Sequence, residues 1–392
     1  MKILYVTLRL PYPTLKGDQN IVFNRLKTLS KKHEIVLLSL YQKEEDLIGV
    51  EVLEKYCCEV HTVKLSKWRS LMNTIKGYYK KFPLQVVYYK SGEFQKKVDS
   101  LIEKHEFDIV NGFLLRTAPY FLNIKGIKIL DLIDSMQLNL ERSILKEAPP
   151  KSWILKNELK RIIKYERQIG KSFDHMLLVS DKDKVYFDDS NVSVIPLGVD
   201  TNSFKPVNRE NRKNKIIFTG NMSYAPNVHA VKWFADNCFP EINKAEPDVE
   251  FVIAGVSPSK EVLNLGKRPG IKVMGFVESL PEILNDAIVS IAPMQSGSGM
   301  QNKILEAMAC GLTVITTSLG VGSIDVSIGK DILIADNAEE FVSLVLKVLN
   351  NSEMRNEIGR NAREFVMKNH SWEHIGCVVD ELYEKLMIQA DL

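Results

Sequence analysis

Along most of this chain, apolar residues gather in short, nearly continuous runs separated by longer amphipathic stretches. The runs Lys2–Thr7, Glu34–Leu40, Glu59–Val63, Asp108–Asn111, Ile127–Leu130 and His175–Val179 predict strands. Runs without polar alternation suit strands covered on both faces, as in a parallel sheet. Between them, Asp18–Lys31 predicts a helix: Ile21, Val22, Leu26 and Leu29 share one face, and Asp18 suits an N-cap. Gly92–Lys104 and Lys151–Lys171 predict longer helices.

The alternation breaks at Ile195-Pro196-Leu197-Gly198-Val199-Asp200, followed by Phe204-Lys205-Pro206 and the polar run Asn208–Asn214. A domain boundary is expected there. The pattern then restarts with strands at Lys215–Thr219, Val249–Ala254, Ile271–Met274, Ile288–Ile291, Thr313–Thr317 and Asp331–Ile334. Helices are predicted at Val228–Cys238, Leu280–Asn285, Ala338–Leu349 and Met354–Lys368. A last helix, Trp372–Met387, has no strand after it. Two successive βα repeats in 392 residues imply an α/β protein of two doubly wound, Rossmann-like domains facing a cleft. The expected domains are 1–200 and 201–370, with 371–392 capping the second or crossing back to the first.

Composition changes this picture little, because 45% hydrophobic and 26% charged residues are ordinary for a globular chain. No apolar run has the length of a membrane span. The start, Met1-Lys2-Ile3-Leu4-Tyr5-Val6-Thr7, reads as a strand rather than a signal peptide. Five cysteines without metal-ligand spacing suit a reducing cytosol, so a cytoplasmic location is expected.

Charge is more informative. Residues 1–200 carry 33 Lys and Arg against 25 Asp and Glu, whereas the remainder is net acidic. The basic excess is densest in Lys64–Lys90, with seven Lys and Arg and no acidic residue. Trp68, Tyr78, Tyr79, Phe82, Tyr88 and Tyr89 are interleaved. Such a segment suits an anionic membrane surface, which adds the inner face of the plasma membrane as an address, or an anionic acceptor. A solvated helical face with aromatic anchors has the same composition. No recognised nucleic-acid motif accompanies it, and no nucleic-acid partner is expected.

The candidate chemistry lies in Gly297-Ser298-Gly299-Met300-Gln301-Asn302-Lys303-Ile304-Leu305-Glu306-Ala307-Met308-Ala309-Cys310-Gly311. It reads as a strand, a glycine loop and a helix N-terminus. The first turn of a helix carries unpaired N–H groups and partial positive charge, and glycines let a phosphate approach closely. Lys303 would add a full charge, and Glu306, a turn further on, would accept hydrogen bonds from a ribose. A packing turn has the same pattern. Neither G-x-x-x-x-G-K-[ST] nor G-x-G-x-x-G occurs here, which disfavours a P-loop and a dehydrogenase.

Assembled, these residues resemble a glycosyltransferase of the GT-B fold, most similar to family 4 of the retaining nucleotide-sugar transferases. The resemblance runs along nearly the whole chain. Pro11-Tyr12-Pro13 with Gly17-Asp18 resembles the acceptor-side loop. Val179-Ser180, Val194–Asp200 and Phe204-Lys205-Pro206 are similar to the interdomain linker. Thr219-Gly220-Asn221-Met222-Ser223-Tyr224-Ala225-Pro226-Asn227 is similar to a subset tied to exopolysaccharide export. Lys303–Gly311 is similar to the nucleotide-sugar motif, and Ser371-Trp372 opens a helix that returns to the first domain.

The resemblance implies a metal-independent bacterial hexosyltransferase of polysaccharide, glycolipid or glycoprotein synthesis. It would need no cofactor beyond a nucleoside-diphosphate sugar as co-substrate, with a glycan, lipid-linked or protein acceptor. Donor contacts are expected from Gly17, Gly220, Asn221, Val277, Ser298, Gly299, Met300, Gln301, Lys303 and Glu306. Lys303 and the backbone of Met300 and Gln301 would neutralise the diphosphate. Asp131 is the match to a position that holds a histidine in many members, as base or sugar ligand; a helix N-cap ahead of Ser135–Leu145 is the other reading of it. Two departures stand out. The family's glutamate pair, eight positions apart, has Ser298 in place of its first member. The loop at Asn221-Met222-Ser223-Tyr224 lacks the usual Arg and Lys. A sugar-nucleotide 2-epimerase and a non-catalytic scaffold of a polysaccharide assembly are the alternatives.

Overall fold

The computed structural model of the chain describes residues 1–14, 16–79, 82–121, 124–145, 147–187, 191–207, 214–296 and 300–390. Two compact units result, Met1–Pro196 with Ile375–Leu392, and Leu197–His374.

In the first unit, β1 (Lys2–Thr7), β2 (Glu34–Tyr41), β3 (Glu59–Lys64), β4 (Ile109–Phe113), β5 (Ile127–Ile133), β6 (His175–Leu178) and β7 (Val192–Val194) form one sheet. Their order is β3-β2-β1-β4-β5-β6-β7, parallel throughout. Ile3, Leu4, Tyr5 and Val6 of β1 are fully buried, which is why an unbroken apolar run was needed there. The sheet reverses direction of growth between β1 and β4. Chain segments leaving those two strands therefore diverge and leave a concavity at their carboxyl ends.

The final helix, Trp372–Ala390, joins the first unit from Ile375 onward. Polar contacts fix it. The Tyr383 hydroxyl donates to Asn111 Oδ1 at 2.9 Å on β4, and both side chains are buried. Asp380 receives Lys32 and lies 2.7 Å from His33 Nε2. Gly376 rests on Thr28, where a Cβ would stand 2.6 Å from the threonine Cβ, so only glycine allows this approach.

In the second unit, β8 (Lys215–Thr219), β9 (Glu250–Ala254), β10 (Ile271–Gly275), β11 (Val289–Ala292), β12 (Thr313–Thr316) and β13 (Leu333–Ile334) form a six-stranded parallel sheet. The order is β10-β9-β8-β11-β12-β13. Its reversal falls between β8 and β11. Phe218, Phe234, Phe251 and Phe341 are fully buried in the core, with the Phe234 and Phe251 rings 4.8 Å apart. Among the described residues no helix is long and apolar enough to cross a membrane.

Candidate functional site

The helix Asn302–Ala309 follows β11, and the helix Ala225–Asn237 follows β8. Both therefore begin at the carboxyl edge of the second sheet, on either side of its reversal, where doubly wound sheets hold ligands. Gln301 is the N-cap of the first of these helices and makes no side-chain capping bond. Among the described residues the first turn thus keeps N–H groups without a side-chain acceptor. Asn302 Oδ1 and the Thr219 hydroxyl at the end of β8 are buried without a hydrogen-bond partner among the described residues.

Lys303 points inward and is 9% exposed. Its Nζ donates to Asn227 Oδ1 at 2.5 Å and lies 4.5 Å from the Phe218 ring centroid. Burial pushes the amine down to about 7, against the upward pull of Glu306 one turn on. Burial pushes the Glu306 carboxyl up, and Lys303 pulls it back. Glu306 is only half-buried, which softens that push without reversing it. A cation so poorly solvated gains strongly from an incoming anion, because little water must be displaced to pair it.

The loop after β8 is shaped around this lysine. Gly220 has φ +151, and a Cβ there would stand 2.7 Å from Asn227 Nδ2 and 3.4 Å from Lys303 Cε. Gly255, at φ +148, has even less room: its Cβ would fall 1.7 Å from the Gly220 carbonyl oxygen. The two loops nest backbone to backbone. Asn227 Nδ2 donates to the Asn221 carbonyl at 2.9 Å, so one side chain ties the loop to Lys303. Asn221 itself is exposed and turns its Oδ1 to Ser223 N–H at 2.9 Å.

The structure thus gathers Gly220, Asn221, Lys303, Glu306, Met300 and Gln301 at one edge, whereas Ser298 and Gly299 lie outside the described residues. Val277 is half-buried beyond β10, with β9 and β8 between that strand and β11. Gly17 opens the Gly17–Leu29 helix in the first unit and is exposed. Sequence reasoning gave no role to Asn227 or Phe218. Asn227 stands inside the quoted Thr219–Asn227 stretch, but its pairing with Lys303 spans the fold.

Asp131 requires a correction. It is fully buried on β5 and ion-paired with the equally buried Arg25 of the Gly17–Leu29 helix. A carboxylate in that position has no free approach for a substrate, which argues against Asp131 as base or sugar ligand. It is not an N-cap either. Ser135 caps the Met136–Ile144 helix, accepting from Leu138 N–H at 3.3 Å. Asp183 and Glu166 accept from Ser135 and Met136 N–H at 2.9 and 2.8 Å. Burial raises Glu166 to about 7 and Asp183 to about 6.

At the reversal of the first sheet, Thr7, Arg9, Asp18, Gln19, Tyr89 and Arg116 line a small concavity. Arg9 pairs with Asp18 at 2.9 Å. Arg116 sits 5.4 Å from the Tyr89 ring centroid and forms no ion pair among the described residues.

Comparison with known proteins places this geometry. The family described as "Glycosyl transferases group 1" matches residues 213–351, most of the second unit. An uncharacterized 44.6 kDa protein of the cps region of Klebsiella pneumoniae is 26% identical over 94% of this chain and 96% of its own length. UDP-Gal:alpha-D-GlcNAc-diphosphoundecaprenol alpha-1,3-galactosyltransferase of Escherichia coli is 25% identical over 52% of this chain and 57% of its own. In structure, Anabaena Alr3699/HepE in complex with UDP superposes with a TM-score of 0.67 at 14% identity, covering 98% of this chain and all of the other. The fold is GT-B, as the motifs implied.

Proposed function

We propose that this GT-B chain, similar to the group 1 glycosyl transferases, moves a sugar from a nucleoside diphosphate to an acceptor hydroxyl in the synthesis of a surface polysaccharide. One observation carries the donor side: a buried lysine at an uncapped helix N-terminus, at the reversal of the second sheet. That arrangement suits a diphosphate. The N–H groups face the phosphate oxygens, and Lys303 takes up a proton as the anion arrives. Glu306 accepts from the ribose hydroxyls, its neighbour Lys303 keeping it partly ionised.

In the reaction the bond from the anomeric carbon to the diphosphate oxygen breaks, and a bond to the acceptor oxygen forms. The acceptor proton passes to the departing diphosphate. Lys303 stabilises the charge that grows on that diphosphate. With Asp131 withdrawn into its pair with Arg25, we assign the acceptor proton to the leaving diphosphate rather than to a side-chain base, in keeping with retention of configuration. Metal-independence belongs to the same reading. HepE binding UDP, and the cps-region and galactosyltransferase relatives, support a nucleotide-sugar donor and a polysaccharide setting. The concavity at Arg9 and Arg116 suits the acceptor, and the 64–90 segment suits contact with a membrane carrying it.

A thermal-shift screen with UDP-, GDP-, ADP- and dTDP-sugars tests this. One nucleotide series should raise the melting temperature of the wild type and leave Lys303→Ala unmoved. No shift with any series would defeat the reading.

A further inference from the structure

The helix Lys67–Tyr79 packs the opposite way round from an ordinary surface helix. Trp68, Leu71, Met72, Ile75, Tyr78 and Tyr79 recur at spacings of three and four and form one apolar stripe. Such a stripe normally faces the core. Here the buried residues are Ser70 and Gly77, and the stripe points to solvent, with Trp68 72% and Tyr79 80% exposed. The cause is close packing on the small-residue side. A Cβ at Gly77 would stand 2.4 Å from Val87 Cγ2 of the Leu84–Tyr88 helix, so that face cannot turn out without opening a gap. Lys67, Arg69 and Lys76 lie on the same exposed surface.

A second helix continues it. In Lys151–Gly170 the acids Glu158 and Glu166 are buried, whereas Lys156, Lys160, Lys164 and Arg167 are exposed. Trp153 and Ile154, near its start, are 62% and 56% exposed. The two helices are tied together. The Arg161 guanidinium lies 4.9 Å from the Tyr78 ring centroid and donates to the Tyr78 carbonyl at 3.2 Å. Glu158 accepts from Leu84 N–H at 2.5 Å. Beside them a groove of about 580 Å³ is lined by Phe82, Asn157, Lys160, Lys164 and Gln168.

We propose that these two helices form one docking face for an anionic lipid bilayer. The exposed charge is basic, the apolar groups are aromatic and aliphatic side chains of the kind that settle at headgroup depth, and lysines flank them. Charge complementarity favours phospholipid over a second copy of this chain, whose matching surface would carry the same positive sign. The groove places Lys160 and Lys164 where a lipid phosphate fits. The link to glycosyl transfer rests on the reading above, because a lipid-borne acceptor is then delivered beside the first unit; the docking itself does not.

Co-sedimentation of the full chain tests it, using vesicles of equal parts phosphatidylcholine and phosphatidylglycerol against phosphatidylcholine alone. The wild type should bind the mixed vesicles only, and lose them as salt rises. Neutralising Lys156, Lys160 and Lys164 to Gln should weaken binding on the order of 100-fold, about fivefold for each charge. The double variant Trp68→Ser, Trp153→Ser should also release the vesicles. Both variants should keep the nucleotide-induced thermal shift, which reports an intact fold and donor site. Equal binding to both vesicle types, or variants that bind as well as the wild type, would overturn the docking face. So would a wild-type dimer in sedimentation that the Trp variant dissociates, since a second copy would then cover the stripe. Vesicle binding as expected without any nucleotide shift would defeat the donor reading and leave the docking face standing.

Discussion

Replacing Lys303 by methionine should stabilise the free protein while abolishing diphosphate binding. The side chains have similar length, so the change removes the amine and little else. In the folded chain that amine is held at about 7 instead of 10.5. Between those values the unfolded chain keeps a proton that the folded chain has released, so stability rises with pH across that window. Near pH 7 the penalty is on the order of 4 kcal/mol, at 1.36 kcal/mol for each pH unit of displacement. Methionine leaves Asn227 Oδ1 without its donor, a loss of ~1–3 kcal/mol. The balance is ~2 kcal/mol in favour of the variant, or roughly 4–8 °C in melting temperature for a domain of this size. Near pH 10 the wild-type amine costs only ~1 kcal/mol, and the advantage should vanish. Calorimetry at the two pH values, with and without UDP, reads both halves of the claim. A variant that melts below the wild type near pH 7, or that still shifts with UDP, would refute the reasoning. Sites of binding commonly trade stability for function in this way.

Three further outcomes follow from the same geometry. Asp131→Asn should destabilise the first unit by ~3–5 kcal/mol by leaving Arg25 buried and unpaired, while turnover per folded molecule stays near wild type at low temperature; a collapse of turnover in a folded variant would restore Asp131 as a reacting group. Asp380→Asn should loosen the final helix. Burial pushes the Asp380 carboxyl up, but the bonds from Lys32 and His33 outweigh it and hold it below 3.8. Its contribution is therefore present above 3.8 and lost as pH falls, so urea denaturation should show the gap between variant and wild type closing in acid. A chelator should leave transfer unchanged in an assay of nucleoside-diphosphate release, and a large drop would call for a metal in the donor site.

Much of the fold was legible because each sheet is parallel and its central strands are buried on both faces. β1 and β8 lie at their expected residues, since apolar runs such as Ile3–Val6 have no polar residue to blur them. β7 was missed: three residues at a sheet edge, Val192–Val194, carry too little pattern to separate from the linker that follows. The basic segment was legible as a charge run, and its helical spacing was in view. Which face turned outward was not, because that choice is made by Gly77 against Val87. The donor edge was found from Lys303 and Glu306, whose order in the chain carries the signal. Their surroundings were not found, because Asn227 and Phe218 reach Lys303 only through strand pairing. Asp131 failed for a related reason. A carboxylate at the end of a strand looks alike whether it meets a ligand or an arginine from another helix, and here Arg25 takes it.

The most direct test of the account is release of nucleoside diphosphate from a panel of nucleotide-sugars, followed by chromatography for the wild type and Lys303→Ala. One sugar donor should yield its nucleoside diphosphate with the wild type, faster when an acceptor glycan is present, and the variant should be nearly silent. Release that persists in Lys303→Ala, or a wild type that consumes no donor, would contradict the assignment of Lys303 to the leaving diphosphate.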